Sequence, residues 1–285
     1  MTSQNHYRTI VISDVHLGTK GSKAKELVRF LKMNTADNLI LNGDIIDGWQ
    51  LKKSGEWKRK HTRFIQRVLK MVSEFNTQVI YLRGNHDDFL DQFIPLTIGN
   101  LKIVRDWVWD GANGKKYYIT HGDIFDSVTT KFTWLAKLGD IGYTFLLWIN
   151  RKYNEYREMR GLPYYSISQL IKSKVKSAVS YISDYEGNLV ELAVAKGCQG
   201  IICGHIHQPA IKNYEAIEYL NSGDWVESLS ALVEDYNGEW SLMYFSETKR
   251  HKSDTDENDE IFDDTDDMDL PVEFMTNKEV SQESK

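Results

Sequence analysis

Apolar positions in the first hundred residues fall into short continuous runs separated by stretches of helical spacing. Arg8–Ser13 (RTIVIS) is an unbroken β-branched run, the pattern of a strand covered on both faces. Helical spacing follows near Lys23–Met33, then a second strand at Asn38–Leu41 that ends at Gly43–Asp44. Lys58–Phe75 carries Phe64, Val68, Met71, Val72 and Phe75 on one helical side. Gln78–Leu82 is a third strand, running into Gly84–Asn85–His86–Asp87. Strands alternating with helices predict an α/β layered fold.

The rhythm then changes. Lys102–Val104, Trp107–Trp109 and Lys116–Thr120 read as strands, with the Gly111–Gly114 turn between the last two. From Asp126 to about Glu186 the chain is aromatic and helical and interrupts the strands. Gly200–Cys203 resumes them, and short strands and turns continue to about Phe245. The predicted organisation is one domain over 1–246, with a helical insertion at about 126–186, and a tail over 247–285. Asp254–Asp269 holds ten acidic residues and no basic one, a composition too polar to offset its ordering entropy, so the tail is expected to be disordered.

Charge alters the picture once the tail is set apart. The formal net charge of −6 arises there, where 14 acidic residues face 5 basic ones; the body has 30 basic against 27 acidic. A mildly basic body suits an anionic substrate. The longest apolar run, Ile141–Ile149, falls short of the roughly 20 residues that span a bilayer. No leader pattern opens the chain, and Cys198 and Cys203 make no disulfide framework, so a soluble cytoplasmic protein is expected. No nucleic-acid-binding module is visible, and no nucleic-acid partner is expected.

Five segments carry the candidate chemistry: Asp14-Val-His16, Gly43-Asp44-Ile-Ile-Asp47, Gly84-Asn85-His86-Asp87, His121-Gly122-Asp123 and Gly204-His205-Ile-His207. Each follows a predicted strand, and loops at strand carboxyl ends converge on one crevice in α/β sheets. Asp14 and His16 are two apart on extended chain, so their side chains share a side, and His205 and His207 repeat the device. Carboxylate, imidazole and amide oxygen without thiolate are ligands for manganese, iron or zinc.

In this order the motifs D-x-H, G-D-x-x-D, G-N-H-[D/E], H and G-H-x-H resemble the calcineurin-like metallophosphoesterases, over Asp14 to His207. The resemblance implies a four-layer α/β sandwich of two mixed β-sheets flanked by helices; the helical insertion itself reads as a lid over the site. It implies two divalent ions, one on Asp14, His16, Asp44 and His207, the other on Asp44, Asn85, His121 and His205, with Asp44 bridging. His86 would be catalytic, stabilising charge or protonating the leaving group, and Asp87 would orient and charge it. Asp47 would at most hold a ligand histidine, and Asp123 would be a turn or supporting residue.

Within that family, the long insertion after His121-Gly122-Asp123 and the segment Asn221–Trp225 are similar to the UDP-2,3-diacylglucosamine diphosphatase group of lipid A synthesis. That resemblance implies a lipid-linked UDP-sugar as substrate, split at its pyrophosphate into UMP and a lipid sugar 1-phosphate. Manganese is the implied metal, with iron or zinc as alternatives. The insertion would supply apolar contact to acyl chains or to the inner face of the membrane. Its first half holds Phe132, Trp134 and Trp148 among many apolar residues, and its second half holds Lys172, Lys174 and Lys176. Asn85, His86, Lys174 and Lys176 are the expected substrate contacts. The plainer reading of the insertion is a helical hairpin with solvated lysines. One departure matters: the best-known branch of the group has arginine where this chain has His86. That leaves open a general phosphodiesterase or phosphomonoesterase acting on a nucleotide or other soluble phosphoester.

Overall fold

Buried residues along the first three strands alternate between two cores. In β1 (Asn5–Ile12) Ile10 and Ile12 face one core and Val11 the other; in β2 (Asn34–Asn42) Leu39 and Leu41 oppose Ile40; in β3 (Gln78–Leu82) Val79 and Tyr81 oppose Ile80 and Leu82. A sheet covered on both faces needs continuous apolar runs, which is why these strands were legible as such. The computed structural model describes residues 4–54, 56–128, 151–157, 159–161 and 167–246, and their side chains except those of 54, 126–128 and 167–179.

β1, β2, β3 and β5 (Leu101–Val104) run parallel; β4 (Leu96–Ile98) and β11 (Ser230–Glu234) flank them antiparallel, and β12 (Trp240–Tyr244) pairs antiparallel with β11, in the order β12-β11-β1-β2-β3-β5-β4. A second mixed sheet has the order β6-β7-β8-β10-β9, from β6 (Trp107–Asp110), β7 (Lys116–Ile119), β8 (Gly200–Cys203), β9 (Ala210–Tyr214) and β10 (Ile217–Asn221). Val11, Ile40, Ile80 and Leu232 of the first sheet pack on Tyr117, Ile119, Ile202 and Leu220 of the second. Outside the first sheet lie α1 (Ala24–Met33) and α3 (Arg59–Phe75), which bury Leu27, Phe30, Leu31, Phe64 and Met71. Outside the second lies α4 (Ile167–Ala195), which buries Tyr185, Leu189 and Ala193 against Ile201, Cys203 and Tyr219. The result is the expected helix–sheet–sheet–helix sandwich. Each fully buried aliphatic side chain contributes about 1.5–3 kcal/mol, so the three apolar layers hold the strand ends in place.

β2 begins four residues earlier than predicted, because its polar start is satisfied: Asn34 accepts from Asn5 Nδ2 at 3.0 Å and donates to Phe30 O at 3.0 Å. α2 (Gly48–Ser54) was not predicted; Asp47 starts it by accepting the Gln50 amide at 2.7 Å. β4 and a 3-10 helix over Asp88–Phe93 were also not predicted, being too short for periodicity to register. α4 runs nine residues past Glu186, so the expected end of the insertion falls inside a helix. Part of the insertion, including the apolar positions 132–149, lies outside the described residues, as does the acidic tail. Lys174 and Lys176 sit on α4, their side chains outside the described set. Among the described residues no helix is long and apolar enough to cross a membrane.

Candidate metal centre

The loops after β1, β2, β3, β7 and β8 meet through their backbones. Asp14 N donates to Gly43 O at 3.1 Å, His16 N to Asp44 O at 2.9 Å, and Gly204 N to His121 O at 3.1 Å. These turns hold Asp14, His16, Asp44, His205 and His207 in the left-handed region, at φ of 52°, 50°, 53°, 69° and 53°. Non-glycine residues adopt it at a cost of order 1–3 kcal/mol each, and such strain clusters where side chains must be aimed. Two glycines of the motifs are required by close approach: a Cβ on Gly84 would collide with Asp44, and one on Gly204 with Ser13 and Asp14.

The side chains brought together form three overlapping groups whose donor atoms lie within 4.8 Å: Asp14–His16–His207, His16–Asp44–His86, and Asp44–His121–His205. His207 Nε2 lies 3.2 Å from Asp14 Oδ1, His121 Nε2 3.3 Å from Asp44 Oδ2, and His16 Nε2 3.9 Å from both carboxylates. His121 Nδ1 donates to Asn42 O at 2.9 Å, which fixes the tautomer and turns the Nε2 lone pair inward. Each carboxylate divides its labour. Asp44 Oδ1 accepts the His86 amide at 2.8 Å and Asp14 Oδ2 accepts the His205 amide at 2.9 Å, so one oxygen of each holds a loop.

Burial alone would raise the pKa of Asp14 and Asp44, yet facing imidazoles hold both below the ordinary carboxylate value: His207, His121 and His16 around Asp14, chiefly His121 at Asp44. Burial likewise opposes protonation of His121 and His207. The carboxylates outweigh it, pushing His121 up to about 10 and His207 up to about 9. Two buried carboxylates thus demand positive charge, from protons on the imidazoles or from cations. The donor atoms fit cations. Asp14 Oδ1, Asn85 Oδ1 and His121 Nε2 are buried without a hydrogen-bond partner among the described residues, a costly condition that a metal ion relieves.

The supporting carboxylates differ from expectation. Asp47 Oδ2, not Asp87, faces the imidazole of His86: it lies 3.1 Å from His86 Nδ1 and 3.5 Å from His16 Nδ1. Asp87 is buried beneath the Asp44 loop, accepting Ile45 N at 3.0 Å, Ile46 N at 2.8 Å and Tyr81 Oη at 3.0 Å. Adjacent residues on a turn point apart, and burial pushes the Asp87 carboxyl up to about 7. Asp224 was missed by sequence reasoning. It is fully buried, 4.0 Å from His207 Nδ1, in a segment where Trp225 N donates to Asp14 O at 3.0 Å and Asn221 Nδ2 to Gly204 O at 3.0 Å. The signal was the polar run Asn221-Ser222-Gly223-Asp224 directly after a strand.

Comparison with known proteins agrees with this geometry. Residues 7–209 match the model of the calcineurin-like phosphoesterase family. A UDP-2,3-diacylglucosamine hydrolase of Blochmanniella pennsylvanica is 27% identical over 218 residues, covering 71% of this chain and 80% of that protein. One from Shewanella sp. (strain MR-4) is 26% identical over 240 residues, covering 81% and 95%. Among solved structures, a novel archaeal phosphodiesterase aligns at a TM-score of 0.40 and 13% identity, over 83% of this chain and 98% of that one. With the family model spanning all five ligand loops, the chain belongs to the calcineurin-like phosphoesterases and is a metal-dependent hydrolase of phosphoester bonds.

Proposed function

We propose that this enzyme hydrolyses the pyrophosphate bond of UDP-2,3-diacylglucosamine, giving UMP and the lipid sugar 1-phosphate. The observation that carries the reading is the match to proteins of that name over 80% and 95% of their own lengths. Asp14, His16, Asp44 and His207 hold one divalent cation, and Asp44, Asn85, His121 and His205 the second, with manganese suited to these oxygen and nitrogen donors. Such cations, when bound, supply the Lewis acidity that activates a water and offsets charge at phosphorus.

His86 is the proton donor. Burial opposes its protonation, but Asp47 and Asp44 raise its pKa above the ordinary histidine value. Asp47 engages Nδ1, leaving Nε2, 4.0 Å from Asp44 Oδ2, to deliver a proton to the leaving oxygen. Asn85, His86, Lys174 and Lys176 are the substrate contacts in this reading. The enzyme works in the cytoplasm, with the insertion meeting the lipid at the inner membrane face.

The test is a product assay on manganese-loaded enzyme with the acylated UDP-sugar, read by mass spectrometry. UMP and the acylated sugar 1-phosphate are expected, with little turnover of a chain-free UDP-sugar. Equal rates on both would remove the reading. His86 itself favours a second one, a phosphodiesterase or phosphomonoesterase for soluble phosphoesters; rapid turnover of a small aryl phosphodiester, indifferent to added lipid, would establish that instead.

A further inference from the structure

The candidate donors come from two sheets that share no strand: Asp14, His16, Asp44 and Asn85 follow strands of the first, and His121, His205 and His207 follow strands of the second. A shared centre works only if the two sets keep a fixed spacing. On one side the sheets are tied by His121 Nδ1 on Asn42 O at 2.9 Å and Asn42 Nδ2 on Thr120 O at 3.2 Å. The Asn85 loop is tied differently. Arg83 sits at the end of β3, two residues ahead of Asn85, and its Nη1 reaches Asp123 Oδ2 at 2.5 Å, two residues behind His121. Both side chains are mostly buried, at 19% and 13% exposure.

The same guanidinium holds Asp91, with Nε 3.2 Å from Oδ1 and Nη2 3.3 Å from Oδ2, on the 3-10 helix that follows His86–Asp87. Its own backbone is anchored by Arg83 N on Val104 O at 3.1 Å. One planar group therefore joins the segment entering the Asn85–His86 loop, the segment leaving it, and the segment leaving His121. A lysine, with a single point charge, cannot span both carboxylates in this way. Burial lowers the arginine's pKa, but Asp123 and Asp91 outweigh it and strengthen its charge.

We propose that Arg83 is a positioning residue that fixes the distance between the Asn85 and His121 donors, and so the affinity for the cation they share. The proposal rests on the two-cation reading above. It is tested by calorimetric titration of manganese into metal-stripped protein, and by the visible absorption of the cobalt-substituted form. In Arg83→Gln one of two affinities is expected to fall about 10–100-fold, with altered cobalt absorption, while the other affinity holds. kcat falls with KM little changed, and Arg83→Lys recovers part of the loss. Arg105→Gln is the control: it removes only the exposed Arg105–Asp91 pair at 2.8 Å, and should leave both affinities intact. Lowered Tm in Arg83→Gln with both affinities and the cobalt spectrum within about twofold of wild type would overturn the proposal. If Arg83→Gln does not fold, Asp123→Ala removes the same contact while keeping the Arg83–Asp91 pair, and the same outcomes apply. Wild-type protein that takes up no metal sinks the two-cation reading and this proposal together; two bound metals with unaltered variants sink this proposal alone.

Discussion

The two ends of the site are built differently. At the inner end, His121 is fully buried, its ring locked by Asn42 O, and Asp44 is 2% exposed. At the outer end, the His207 side chain is 28% exposed and its Nδ1 lies 4.0 Å from its nearest carboxylate support, Asp224. The His121 imidazole is pre-aimed and dehydrated; that of His207 has more freedom and more contact with water. Pre-organisation lowers the cost of binding, so the inner end should hold its cation tightly and the outer end should exchange.

The most damaging way to probe this contrast is Asp44→Asn, since Asp44 belongs to donor groups at both ends. Turnover should fall about 10³-fold or more, with metal content measured by mass spectrometry dropping below one equivalent. Next, His121→Ala should weaken one metal affinity about 100-fold and His207→Ala about 10-fold, with only the latter rescued by excess manganese; equal losses in titration would break the contrast. Asp87→Asn loosens the loop beneath Asp44, because three donors lose a full carboxylate acceptor, and should lower stability by about 2 kcal/mol in denaturant melts. By comparison Asp47→Asn should cost turnover more than stability. The smallest effect is in pH. His207 and His121 titrate near 9 and 10 against an ordinary 6.5, so in chelator-treated protein their stabilisation is complete below pH 6.5 and is lost as pH rises through those values. Stability should therefore fall between pH 7 and 9, and His207→Gln should shrink that fall without abolishing it, because His121 loses its stabilisation over the same range.

The ligand loops were legible because doubly covered strands leave unbroken apolar runs, and each run stops at a motif. Ile10–Ile12 and Val79–Leu82 point straight at Asp14 and Asn85. What sequence could not give was direction after the strand ends. Asp87 stands beside His86 in the chain and was read as its partner. The turn aims Asp87 at Ile45 and Ile46 instead, and brings Asp47 from another loop to the imidazole. Asp224 was hidden for the same reason: its approach to His207 is made by the fold, across seventeen residues. β4 and α2 went unread because three and seven residues hold too little periodicity, and α2 depends on the Asp47 cap rather than on an apolar face.

The divided labour of Asp14 and Asp44 has a consequence for ion selectivity. With one oxygen of each carboxylate already accepting a backbone amide, chelation of a cation through both oxygens is disfavoured. Calcium favours seven or eight oxygens, often from bidentate carboxylates at long range, whereas smaller transition ions accept monodentate oxygen and imidazole. Loop closure in this protein should therefore also weigh against the commonest large divalent ion, an expectation that competition of calcium with manganese for the metal-stripped protein checks.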